Sequence, residues 1–219
     1  MKFKNTEVFN FRGAFRGMRN PMNSWRKNDT YIDYEDNIHI GENDLKLAQR
    51  LIKAGSEHRK FMRQIFVSVD ITAPLFWWKE FDTYKVGTVR NSCSTMHKIH
   101  VKEFDYDDFT HFGIDECGLK ETFNVYMETL ESLRVNFNKT KEKKYWRALI
   151  EMLPDGFNMM ATVTFDYENL LGMCSKRQRR FHKLNEWSGI DYPIEPNFIA
   201  WAKTLPYAQE LIFIDEMEK

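Results

Sequence analysis

A chain of 219 residues that is 42% hydrophobic and 15% aromatic can fill a sizeable core, which excludes a largely disordered protein. Its 32 basic and 32 acidic side chains cancel, so no global field draws it to nucleic acid or to an anionic membrane surface. The longest apolar run, Ala73 to Trp78, falls far short of the roughly 20 residues of a membrane-spanning helix, and MKFKNTEV lacks a signal-peptide core.

Those exclusions predict a soluble, cytoplasmic protein. Cys93, Cys117 and Cys174 are odd in number and form no CxxC pair, against a disulfide framework or a zinc ribbon. No repeat and no Pro/Gly/Ser-rich linker divides the chain, so residues 1–219 are expected to form one domain.

In chain order, Leu45, Leu47, Ala48, Leu51 and Ile52 recur at helical spacing, which predicts a helix over 44–54 capped by Asn43 and ended by Gly55. From Gln64 to Thr72 the period becomes two: Ile65, Val67, Val69 and Ile71 share one face, and Phe66, Ser68, Asp70 and Thr72 the other, as in a strand. Pro74 suits a first helical turn, so PLFWWKEFDTYK reads as a helix with Gly87 at its exit. HKIHVKEF permits a short strand at 97–104, and DYDDFTHFGIDECG reads as an irregular acidic loop. Amphipathic helices follow, one through Leu119, Phe123, Leu130 and Phe137 and one through Tyr145, Trp146, Leu149 and Ile150 up to Pro154. The lysines between them, at 139, 141, 143 and 144, read as a solvated turn. NMMATVTF at 158–165 is a second strand, and a helix is expected from about Asp166 to Asn185. The class is therefore α+β, a mixed β-sheet flanked by long helices.

Two places can carry chemistry. On the last helix Arg177 falls within the apolar stripe of Leu170, Cys174, Phe181 and Leu184, while Lys176, Arg179, Arg180 and Lys183 lie on another arc. A buried arginine needs a partner: an ion pair, for which Asp70 is a candidate, a bound anion, or escape of its head to the helix edge. The stretch VGTVRNSCSTMH, 86–97, sets Ser92, Cys93, Ser94 and Thr95 beside Arg90 and His97. It reads as a nucleophile site only if a base reaches Cys93 or Ser94, as a phosphate cradle of backbone amides and hydroxyls with Arg90, or as a loop satisfying its own backbone. His97, His100 and His111 have no metal-ligand spacing.

The order of these pieces resembles the flavin-dependent thymidylate synthase family. Ala73, Pro74, Leu75 and Phe76 match the start of that family's Ala-Pro helix. Asn91 and Ser94 match the Asn and Ser of its Asn-Glu-x-Ser-x-Arg-Tyr loop with one residue inserted. LAQRLIKAGSEHRKF is similar to its helix and Gly-His-Glu turn, with Gly55, His58 and Phe61 as counterparts; AFRGMR at 14–19 is similar to its early Ala-Arg helix, and TVTFDYENLLGMCSKRQRRFHKLNEW to its late strand and helix, where Arg177 is the nearest match to a nucleotide-reading arginine. The family's Arg-His-Arg motif and following Ser stand here as Thr83, Tyr84, Lys85 and Thr88, and arginine's planar fork is poorly replaced by threonine.

The resemblance implies a homotetramer binding a pyrimidine nucleotide of the dUMP kind and FAD. Methylenetetrahydrofolate and NADPH take part if the family chemistry, methylation or a related change at C5 of uracil, is retained. It implies cofactor contacts from His58, Tyr84, Lys85 and Thr88, and substrate contacts from Arg90, Asn91, Ser92, Ser94 and Arg177, with Cys93 beside them. The other implied outcome is a non-catalytic nucleotide-binding or interaction module that keeps the fold.

Overall fold

The structure, a computed structural model, describes residues 1–190, 194 and 196–217, without the side chains of 179–181. Along the chain run β1 (Lys2–Phe9), α1 (Phe11–Gly17), β2 (Tyr31–Ile32), β3 (Ile38–His39), α2 (Glu42–Lys53), β4 (Phe66–Pro74), α3 (Leu75–Phe81) and β5 (Val89–Ser92). Then follow α4 (Thr95–Lys98), α5 (Phe112–Glu116), α6 (Lys120–Thr140), α7 (Lys143–Met152), β6 (Asn158–Asp166), α8 (Tyr167–Met173), α9 (Lys176–Phe181), α10 (Asn185–Ser188), α11 (Phe198–Ala202) and α12 (Ala208–Leu211). Four strands form an open antiparallel sheet in the order β1-β4-β6-β5, and β2 pairs with β3 in a separate hairpin. The α+β class expected from the sequence holds. No helix among the described residues is long and apolar enough to cross a membrane.

Alternation explains the central strands. Ile65, Val67, Val69, Ile71 and Ala73 are fully buried, as are Ala161, Val163 and Phe165 on β6. In α2 the first turn is capped by another segment: Gly41 holds the N-cap position, and Asp29 accepts from the backbone amides of Asn43 and Asp44, both at 2.9 Å. Asn43 is therefore a capped residue rather than the cap.

Backbone packing divides the chain into two compact units. The first comprises Met1–Ile71, Asp82–Arg90 and Thr162–Lys219. Its core is aromatic: Phe11 meets Tyr167 edge-on at 5.3 Å, Phe15 meets Phe61 at 5.6 Å, and Trp187 meets Phe198 at 5.0 Å. The second comprises Thr72–Phe81 and Asn91–Ala161. There Ile99, Phe109, Leu130 and Leu149 are buried, and Phe123, Tyr126 and Phe157 pack against them. Trp78 is buried with its indole N–H donating to the Met159 carbonyl at 2.9 Å, which satisfies the polar atom that burial would otherwise strand.

Three expected elements differ. Residues 97–104 do not form a strand, because Ser94 caps the short helix α4 by accepting from the His97 amide at 3.1 Å. The acidic stretch is ordered by its own carboxylates: Asp105 and Asp108 form a capping box around a 3-10 turn at Tyr106–Asp108, and α5 follows. The helix expected over 166–185 breaks at Cys174, after which Ser175 caps a new helix, α9.

Candidate functional site

Residues 82–90 lie in the first unit, against the corner between β6 and α8. Asp166 and Asn169 form a capping box at that corner, Asp166 Oδ1 accepting from the Asn169 amide at 2.9 Å. The free end of the Asn169 side chain donates to the Val86 carbonyl at 2.8 Å. Gly87 has φ +75°, and a Cβ there would stand 3.0 Å from Asn169 Oδ1 and 3.3 Å from Asp166 Oδ2, so the turn requires glycine on both counts. Burial pushes the Asp166 carboxyl above its ordinary range, against the lowering by the backbone amides of Asn169 and Glu168.

Tyr84 is held from the other side of the segment. Its hydroxyl lies 2.8 Å from His182 Nε2, the His182 ring stacks on Trp187 at 4.0 Å, and Tyr84 itself lies 5.5 Å from Trp187. Lys85 is exposed. The Thr88 hydroxyl is buried with no hydrogen-bond partner among the described residues. Arg90 pairs with Asp82, Nη2 to Oδ2 3.0 Å. Tyr84, Lys85, Thr88 and Arg90 are thus gathered on one short, clamped segment.

His58 belongs elsewhere in the first unit. It is exposed and lines a concavity of 1240 Å³ whose walls include none of residues 84–94. The turn after it is anchored by Glu168, which accepts from Arg59 at 3.0 Å and also pairs with Arg63. Burial pushes Glu168 up, but the two arginines outweigh it and hold the carboxyl below its usual range.

Arg177 is exposed, not buried in an apolar stripe. The break at Cys174 resets the helical phase, so the stripe that would have placed it in the core does not continue. Asp70, its expected partner, instead accepts from Asn5 at 2.7 Å and Thr162 at 2.6 Å. The side chains of Arg179, Arg180 and Phe181, also part of that reading, lie outside the described residues.

In the second unit, Asn91, Ser92 and Cys93 are exposed at the end of β5, where the Cys93 amide extends the ladder to the Met160 carbonyl at 2.9 Å. Trp146 fixes the following turn by donating to the Met96 carbonyl at 3.0 Å. Among the described residues no histidine side chain is hydrogen-bonded to Cys93 or Ser94, so the nucleophile reading lacks its base. The Ser94 hydroxyl serves as a helix cap.

Reasoning from sequence missed Asn169, Asp166 and His182, the residues that position this stretch. For the first two a signal existed in the Asp-x-x-Asn spacing just after an apolar strand, a capping pattern. For His182 there was none, since its contact with Tyr84 spans 98 residues.

No protein-family profile matches the chain, and no characterised protein matches it by sequence. Solved structures do match its fold. The flavin-dependent thymidylate synthase ThyX from Helicobacter pylori, complexed with FAD and dUMP, superposes with a TM-score of 0.67 at 14% identity, covering 98% of this chain and 99% of that one. A second structure of the ThyX enzyme from the same organism, with FAD and dUMP, gives 0.62 at 12% identity and covers 100% of both chains. The UMP/dUMP methylase PolB from Streptomyces cacaoi, bound with 5-Br dUMP, gives 0.58 at 14% identity, covering 97% and 95%. Over its whole length, this chain carries the fold of the flavin-dependent thymidylate synthases.

Proposed function

We propose that the protein binds a pyrimidine deoxynucleotide of the dUMP kind together with FAD, and acts on C5 of the uracil ring. The observation that carries this reading is the whole-chain likeness to a ThyX structure complexed with FAD and dUMP. Local chemistry supports it. The buried Thr88 hydroxyl can donate to a phosphate oxygen, exposed Lys85 can add charge, and Tyr84 offers an aromatic edge already held in place by His182. These residues, together with His58 on its separate concavity, are the proposed contacts of FAD. Arg90, Asn91, Ser92, Ser94 and Arg177 are the proposed nucleotide contacts, with Cys93 alongside.

When bound, FAD supplies the transfer of a reduced one-carbon unit from methylenetetrahydrofolate, with NADPH as the source of reducing equivalents. The chain's own part is to orient the uracil ring and to neutralise phosphate charge. A homotetramer in the cytoplasm, with the chain acting as one functional domain, completes the proposal.

FAD titration tests it. FAD fluorescence is expected to quench saturably and the melting temperature to rise, with dUMP adding a further rise and dTMP forming when methylenetetrahydrofolate and NADPH are supplied. If saturating FAD changes neither fluorescence nor melting, the flavoenzyme reading fails. A second reading, a nucleotide-binding module without turnover, is favoured by Thr83, Tyr84 and Lys85 where the family has Arg-His-Arg. Stabilisation by dUMP alone, with no product, would select it.

A further inference from the structure

Within the first unit, β1, the β2–β3 hairpin and the residues around the start of α12 enclose a cleft of 770 Å³. It shares no residue with the 84–94 stretch or with the concavity that His58 lines. Its walls are apolar: Phe11 and Leu205 are buried, Val8 is half-buried and Ile32 is exposed. Its charge is of one sign. Asp36 and Glu210 line it, no Lys, Arg or His does, and neither carboxylate has a hydrogen bond or an ion pair among the described residues. In a chain whose acids and bases balance, that leaves two anionic groups facing an apolar cleft with their pairing capacity unspent.

The frame that carries both carboxylates is fixed. Asp33 closes the hairpin turn by accepting from the amides of Glu35 and Asn37, both at 2.9 Å, and lies 2.7 Å from His39 Nε2, so Asp36 rides on a turn with a set shape. The Tyr207 hydroxyl accepts from the Ile40 amide at 2.9 Å and donates to the Ile38 carbonyl at 3.4 Å. That phenol ties the hairpin to the segment bearing Glu210, three residues on. Tyr207 has φ +52°, a left-handed backbone that a bulky side chain seldom adopts, whereas Asn10 and Asp36, at +69° and +61° in the same lining, are residue types that tolerate it. Groups held in place before a ligand arrives lose little freedom when they pair with it.

We infer that this cleft binds a small organic cation, an ammonium or guanidinium group on an apolar body, with the charged head paired to Asp36 and Glu210 and the body against Val8, Ile32 and Leu205. The volume, 770 Å³, lies within the roughly 300–1,000 Å³ of small-molecule pockets, and an apolar lining with a few fixed polar groups is their usual composition. An anion would be repelled by the two carboxylates, and a neutral ligand would leave them unpaired.

Phenylbutylamine is a suitable probe, with phenylbutanol as its uncharged counterpart and phenylbutyrate as its anionic one. Titrated into the full chain at constant ionic strength, the amine is expected to raise the melting temperature saturably, the alcohol to act more weakly and the acid not at all. The double variant Asp36→Asn/Glu210→Gln keeps the fold, since asparagine tolerates the left-handed turn and glutamine the helix. It is expected to raise the half-saturating amine concentration by roughly fivefold or more. No saturable response, an alcohol as effective as the amine, or a response that the double variant leaves unchanged overturns the assignment. The same variant is expected to keep any response to FAD and dUMP, so this cleft and the proposed function stand or fall separately.

Discussion

Asp44 shows how much one side chain can decide. It is fully buried and accepts hydrogen bonds from Arg19, Asn28, Asp29 and Thr30. Asp44→Ala strands a buried guanidinium and is expected to cost about 3–5 kcal/mol, read from the midpoint of urea unfolding. Asp166 behaves in the opposite way. A carboxyl whose folded pKa lies above its unfolded value near about 4 takes up a proton on folding, so it opposes stability above the folded pKa, and that opposition fades as pH falls through it. Asn caps as well as Asp, so Asp166→Asn is expected to equal or exceed the wild type in stability at pH 7, with the difference closing in acid. Glu168 is untouched in both proteins; its contribution is present above its unfolded pKa and lost as pH falls through the lowered one. Melting temperatures of the pair across pH 3 to 8 check the sign, and a gap that widens in acid would refute it. Gly87→Ala places a Cβ at a left-handed φ against Asn169, at an expected cost of about 1–2 kcal/mol.

Among elements, α6 and α7 depend on Leu130 and Leu149, both fully buried. Leu149→Ala is expected to destabilise by about 2–5 kcal/mol in chemical denaturation. The same scale shows what a sequence reveals. The strands β4 and β6 were legible because one face of each is apolar at every second residue. By contrast β1 was not: KFKNTEVF is mostly exposed, with only Phe3 and Val8 half-buried, so no alternation marks it. Nor was β5, four residues with no buried side chain. Residues 97–104 carried a short alternation too weak to outweigh the Ser94 cap. The run from Asp166 looked like one helix because the propensities of Cys174 and Ser175 barely interrupt it, while Ser175 as a cap ends one phase and begins another. That shift moved Arg177 from an expected core position to the surface, so the candidate with the sharpest argument from periodicity changed most.

At the scale of the molecule, the equal counts of acid and base predict a solubility minimum near neutral pH, with solubility rising on either side as net charge grows. Light scattering against pH at low salt measures it. The fold was legible as an order of motifs before any single motif was decisive, since each match was weak and their sequence was not. The candidate segment of the first unit was legible only in its contiguous part, Tyr84 to Arg90. The partners that fix it, Asn169 and His182, lie far along the chain, and pairings of that range leave no local trace.

The carboxylate at position 44 has one more consequence, in time rather than energy. The segment from Arg19 to Thr30 contains only two short 3-10 turns, and its geometry is set by donors that converge on a residue made later. During synthesis from the N-terminus its donors at Arg19, Asn28 and Thr30 have no Asp44 to meet until α2 is out. The contacts to Asp44 therefore cannot form before position 44 has been made although their donors come early, and a chain cut short before it would leave those twelve residues without that carboxylate.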